Sequence, residues 1–206
     1  MRSAADFAVD ASRKARPIQP VPQSSPTEHQ LLDASGVNRC LDDIAAAIHA
    51  RWHGEATIAL VGIHRRGVPF AEALAARLLA LGNSVELGKI DITQYRDDLN
   101  TFTVLPKLEG SEVEFDLDDL VVILCDEVVH TARTTRAALE ELLGFGRPRC
   151  VQLAALVDRH GRELPFAADY AGIRVTLPRE ERVNVRFASM DGCDEVFTTS
   201  WDSKSA

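Results

Sequence analysis

Apolar residues at Val37, Cys40, Leu41, Ile44, Ala45, Ile48 and Trp52 recur at helical spacing and predict an amphipathic helix with one buried stripe. Three runs, Thr57–Ile63 (TIALVGI), Leu120–Cys125 (LVVILC) and Val151–Val157 (VQLAALV), are apolar at successive positions, as expected of strands covered on both faces. Val85–Ile92 reads as a further strand. Gly67-Val68-Pro69 opens a helix carrying Phe70, Leu74, Leu78 and Leu81, which stops at Gly82-Asn83. Another helix is predicted from about Ala132 to Leu143, ended by Gly144, Gly146 and Pro148. Strands alternating with helices imply right-handed βαβ units and an α/β fold built on a mostly parallel sheet. Ligands of such sheets sit beyond the carboxyl ends of the strands.

Two stretches break the pattern. Pro17, Pro20, Pro22 and Pro26 crowd together beside Gln23, Ser24 and Ser25, so residues 1–30 are expected to form a disordered arm and residues 31–206 the folded domain. Residues 93–114 are polar and without a clear period. A chain of 206 residues supplies one full core, and no apolar run approaches the roughly 20 residues that span a bilayer. With two early aspartates and no apolar leader core, a cytoplasmic location is expected. Lys and Arg number 23 against 31 Asp and Glu, a net charge of -8, the reverse of a protein built mainly to grip polyanions. Cys40, Cys125, Cys150 and Cys193 are too dispersed for a zinc or C-x-x-C motif. His49 and His53 lack a third metal ligand.

Chemistry concentrates at two predicted strand ends. After Cys125 come Asp126 and Glu127, then a loop of small and hydroxyl residues, His130-Thr131-Ala132, entering the helix that begins Arg133-Thr134-Thr135-Arg136. The free N–H groups and positive dipole end of such a helix make a phosphate cradle, while cations in its first turn are disfavoured unless an anion binds. A capped helix with solvated arginines reads the same residues as well. The other end, Val61-Gly62-Ile63-His64-Arg65-Arg66-Gly67, is a cation-rich turn closed by glycine, a second anion site or a basic surface turn.

The segment LCDEVVHTARTTRA resembles the phosphoribosyl-pyrophosphate (PRPP) motif of type I phosphoribosyltransferases. VGIHRRG (61–67), GKIDITQYRDDL (88–99) and FGRPRCVQLAALVDRHGRELPFAADYAG (145–172) resemble the PyrR family, which combines RNA-binding regulation of pyrimidine operons with uracil phosphoribosyltransferase activity. The resemblance implies the type I phosphoribosyltransferase fold, a mostly parallel twisted sheet flanked by helices, with a small hood and a flexible lid loop. It also implies a homodimer or larger homo-oligomer that converts uracil and PRPP to UMP and pyrophosphate with Mg²⁺, in pyrimidine salvage. By resemblance, His130, Thr131, Ala132, Arg133, Thr134 and Thr135 hold the 5′-phosphate, the three threonines through their hydroxyls as well. Asp126 and Glu127 take the ribose hydroxyls directly or through the metal. His64, Arg65, Arg66 and Gly67 bind pyrophosphate, with Tyr95 and Arg96 closing over it from the lid. Val157, Asp158 and Arg159 read the base. The catalytic group is then Asp126, Glu127 and Arg96.

Three positions depart from the family pattern. Glu127 replaces the second aspartate of an Asp-Asp pair, and His130 replaces tyrosine, where it could contact phosphate, assist a proton or sit exposed. Ala132 replaces glycine; a left-handed backbone there would cost about 1–2 kcal/mol and a helical one nothing. Asp42 and Asp43 occupy the positions of a Thr-Arg pair on the family's RNA face, which disfavours RNA, although Arg51, Arg159, His160 and Arg162 could supply positive charge. Alternatives to the salvage enzyme are an RNA-binding regulator whose transferase site senses nucleotides, and a diverged relative using another base or another phosphoribosyl ligand.

Overall fold

The computed structural model describes residues 27–55, 57–92 and 110–200. In chain order the elements are β1 (Thr27–Leu32), α1 (Ala34–Trp52), β2 (Ile58–Ile63), α2 (Gly67–Ala80), β3 (Val85–Ile90), β4 (Val121–Val129), α3 (Arg133–Leu142), β5 (Cys150–Arg159), β6 (Tyr170–Val175), β7 (Arg182–Arg186), α4 (Ala188–Asp191) and β8 (Glu195–Ser200).

Strands β3, β2, β4, β5 and β6 form one parallel sheet in that order. The two-sided apolar runs of β2 and β4 follow from helices on both faces. Ile58, Leu60, Ile123 and Cys125 pack against Val37, Ile44 and Ile48 of α1 and Phe70, Leu74 and Leu78 of α2. The alternate residues Ala59, Val61, Val122 and Leu124 pack with Ala138 and Leu142 of α3 on the other face. Asp33 caps α1 by accepting the Gly36 N–H at 2.7 Å. Gly82, at φ 92°, takes the left-handed turn that ends α2's excursion.

A second, antiparallel sheet of order β1-β8-β7 makes the hood. Its Val185, Phe187 and Val196 join the α1/α2 core, and Phe187 stacks on Phe70 with ring centroids 6.5 Å apart. The hood corrects one expected boundary. Residues 27–30, assigned to the arm, belong to β1, because β8 supplies the ladder partner that their polar sequence does not advertise. Residues 1–26 lie outside the described residues.

Candidate functional site

The expected end of β4 is also corrected. The strand does not stop at Cys125 but pairs with β5 through Val129, so Asp126 and Glu127 lie inside it. Successive strand residues leave on opposite faces. Asp126, 5 % exposed, therefore takes the α3 side with Val122 and Leu124, and half-buried Glu127 takes the α1/α2 side. The Arg66 guanidinium is held charged chiefly by its hydrogen bond to Asp191, and Glu127 adds a smaller electrostatic contribution.

Three groups of expected site residues converge at the carboxyl ends of the neighbouring strands β2, β4 and β5. Gly62 pairs with Cys125, and Val129 pairs with Asp158. The β2–α2 turn is pressed onto β4: a Cβ on Gly67 would fall on the Cys125 carbonyl oxygen, and one on Gly62 would come within 2.6 Å of the Val68 Cα. Only glycine permits this approach. The His64–Arg65 peptide in this turn is cis. Arg65 is exposed, whereas Arg66 makes a bidentate ion pair with Asp191 of α4, at 2.5 and 3.1 Å. That pair, with the Phe187 N–H donated to the same carboxylate, holds Asp191 down to about pKa 2.

Beyond β4, Ala132 adopts the left-handed conformation (φ 70°, ψ 12°) immediately before α3. Of the two possibilities for this alanine, the strained one holds. Ala132 offers α3 no side-chain cap; the Arg133 N–H donates to the Thr131 hydroxyl at a long 3.4 Å, and the first-turn N–H groups of Thr134 and Thr135 stand at the positive end of the helix, where an anion is favoured. Its arginines are matched by carboxylates: Arg133 pairs with Glu163 at 2.8 Å and Arg136 with Glu140. Thr131 and Thr134 reach solvent, but Thr135 is 3 % exposed and its hydroxyl is buried without a partner among the described residues. The Thr135 side chain lies on the sheet-facing side of the helix, beside a small cavity lined by Leu124, Leu139 and Val151, and its backbone N–H stays in the first turn.

His130 is not a free loop residue. Its ring packs on Gly161, where a Cβ would come 2.7 Å from Nε2. Burial, then the charges of Arg159 and Arg162, push its pKa below the usual value. Asp158 is held by Arg162 and, at 3.6 Å, by Arg174. Arg159 is 6 % exposed, donates to the Pro178 carbonyl at 2.8 Å and leaves its Nε without a partner among the described residues. Tyr95 and Arg96 lie outside the described residues. The sequence reading missed Asp191, which no motif marks, and gave Arg162 only a surface role although it stands within VDRHGREL.

Asp42, expected by resemblance on the RNA face, accepts a hydrogen bond from Arg77 Nε at 2.6 Å, and Asn38 accepts another from the same guanidinium. Asp42 thus ties α1 to α2. Arg51 lies over the Trp52 ring, 5.2 Å from its centroid. No helix among the described residues is long and apolar enough to cross a membrane.

Comparison with known proteins agrees with this architecture. The phosphoribosyl transferase domain family matches residues 28–183. Among solved structures, a hypoxanthine phosphoribosyltransferase of Trypanosoma cruzi superposes with a TM-score of 0.62 at 18 % identity, covering 75 % of this chain and 82 % of its own. A hypoxanthine-guanine phosphoribosyltransferase of Bacillus anthracis gives 0.61 at 14 % identity, covering 86 % of this chain and all of its own. The bifunctional protein PyrR of Pelotomaculum thermopropionicum is 46 % identical over 168 residues, 81 % of this chain and 93 % of its own length. That of Deinococcus radiodurans is 45 % identical over 167 residues, 81 % of this chain and 91 % of its own. With this identity along nearly the full length of its relatives, and with the strand-end geometry above, the chain belongs to the PyrR family of phosphoribosyltransferase-fold proteins.

Proposed function

We propose that this protein is a uracil phosphoribosyltransferase, converting uracil and PRPP to UMP and pyrophosphate in pyrimidine salvage. The observation that carries the reading is the placement of a cationic turn, a carboxylate-bearing strand and a helix start on three adjoining segments at the carboxyl end of the sheet, around its central strand β4. That order fits a ligand with pyrophosphate at one end, ribose hydroxyls in the middle and a phosphate at the other. The backbone N–H groups of residues 131–135, with the Thr131 and Thr134 hydroxyls, hold the 5′-phosphate. Arg66 takes pyrophosphate, with His64 and Arg65 beside it. Glu127 faces the ribose from the same side as Arg66, while buried Asp126 supports it from within the strand. Asp158 and Arg159 line the base end.

The donor set suits Mg²⁺. Among the described residues no cluster of three metal-binding side chains exists, and a metal that takes one or two carboxylates and completes its shell with substrate oxygens needs none. When bound, the ion would neutralise charge building on the departing pyrophosphate. As the bond to the base forms, its nitrogen sheds a proton. His130, kept neutral by its surroundings, is in the protonation state needed to accept one.

Mixing the protein with PRPP, Mg²⁺ and each of a panel of bases, then chromatographing for nucleotides, tests the reading. UMP formed from uracil in preference to the other products supports it, and folded protein that yields no UMP defeats it. The relatives named bifunctional add a second reading, RNA-binding regulation. Gel shifts against pyrimidine-operon leader RNA with and without UMP would separate it from the enzyme.

A further inference from the structure

The side chain of Arg162 is inserted between β4's exit and the loop after β5. It donates to the carbonyl oxygens of Phe166 (2.7 Å), Val129 (3.1 Å), Arg159 (2.9 Å) and His130, and to the Asp158 carboxylate. The next carbonyl along, that of Thr131, accepts the N–H groups of Glu163 and Leu164 at 3.1 and 3.2 Å. Three successive carbonyls, those of residues 129, 130 and 131, are therefore drawn to one side by residues 162–164.

In a planar trans peptide the N–H points opposite to the C=O. The N–H groups of His130, Thr131 and Ala132 must accordingly face away from residues 162–164. Those of Thr131 and Ala132 have no backbone acceptor among the described residues. Together with the left-handed turn at Ala132 and the first-turn N–H groups of α3, they form a row of convergent donors, the backbone arrangement that cradles a phosphate.

We propose that Arg162 is a positioning residue for phosphate recognition: by collecting the carbonyls of Val129 and His130 on its own side it turns the loop's N–H groups toward a phosphomonoester. This rests on the phosphoribosyl reading above and extends it to a residue that need not touch the ligand. The guanidinium is engaged by internal acceptors although the residue is only half-buried.

The test compares wild-type protein with Arg162→Lys and Arg162→Gln, measuring calorimetric binding of UMP, ribose 5-phosphate and uridine, with thermal midpoints as a folding control. Lysine keeps the charge but cannot span these acceptors. UMP and ribose 5-phosphate are expected to bind about ten-fold or more weakly to the Lys variant, the effect of losing one charge-assisted hydrogen bond, while uridine, which meets Arg162 only through Asp158, weakens less. Phosphate-induced shifts of the Thr131 and Ala132 amide resonances should shrink in parallel. Equal weakening of UMP and uridine would reduce Arg162 to general scaffolding and overturn the inference, as would unaltered UMP binding. Failure of the wild type to bind either phosphate ligand would instead remove the phosphoribosyl reading itself.

Discussion

Arg66, at the mouth of α2, and Asp191, at the end of α4, are joined by two hydrogen bonds across 125 positions of sequence. The arginine assigned to pyrophosphate is therefore already engaged with an anion supplied by the hood. A carboxylate held down to about pKa 2 stays charged at any physiological pH, so pH does not release it and a competing anion must. Asp191→Asn should bind inorganic pyrophosphate a few-fold more tightly than wild type, and Arg66→Ala about ten-fold or more weakly. Titration calorimetry reads both. Weaker binding by Asp191→Asn would show instead that the carboxylate is itself part of the pyrophosphate site.

Ala132 carries a side chain in a conformation that favours glycine. Ala132→Gly should raise stability by about 1 kcal/mol, the strain relieved less the extra entropy of the unfolded chain. Urea denaturation measures the gain, and the KM for PRPP should not worsen. No gain would mean that the contacts of the buried methyl offset the strain.

Gly67 predicts the opposite sign. With the Cys125 carbonyl where a Cβ would be, Gly67→Ala must push the β2–α2 turn off β4. A loss of about 2 kcal/mol or more is expected, accompanied by a collapse of UMP formation larger than any change in uridine binding.

His130 gives a pH dependence. Its folded pKa lies below its unfolded value of about 6.5, so the unfolded chain binds the proton more readily. Its contribution is fully present above that value and is lost as pH falls through it toward the lower folded pKa. His130→Gln should flatten the fall in thermal midpoint between pH 7.5 and 5.5. An unchanged slope would place the acid sensitivity elsewhere.

The central strands were legible because helices cover both faces, which leaves an unbroken apolar run in β2 and in the first part of β4. The hood strands carry no such mark. Thr27–Leu32 (TEHQLL) is exposed at four positions, and only pairing with β8 makes it a strand. Acids at 126 and 127 read as a strand end, yet the ladder to β5 carries β4 three residues past Asp126. The phosphate loop could be placed from its motif, whereas the inward placement of the Thr135 side chain depends on the rotation of α3 against the sheet. The Arg66–Asp191 pair was invisible for a simpler reason: no local pattern announces a contact between a turn and a helix 125 positions away.

The pairing of β1 with β8 also bears on how the molecule is made. Gln30 of β1 and Glu195 of β8, whose side chains are hydrogen-bonded, are 165 positions apart. During synthesis the first described strand has no partner until the last one leaves the ribosome, and the loop-closing entropy is met only then. Asp191 lies just ahead of β8, so Arg66 gains its carboxylate in the same late step. The parallel sheet and its phosphate loop can assemble earlier, which makes the nascent chain a species whose cationic turn is not yet matched by the hood.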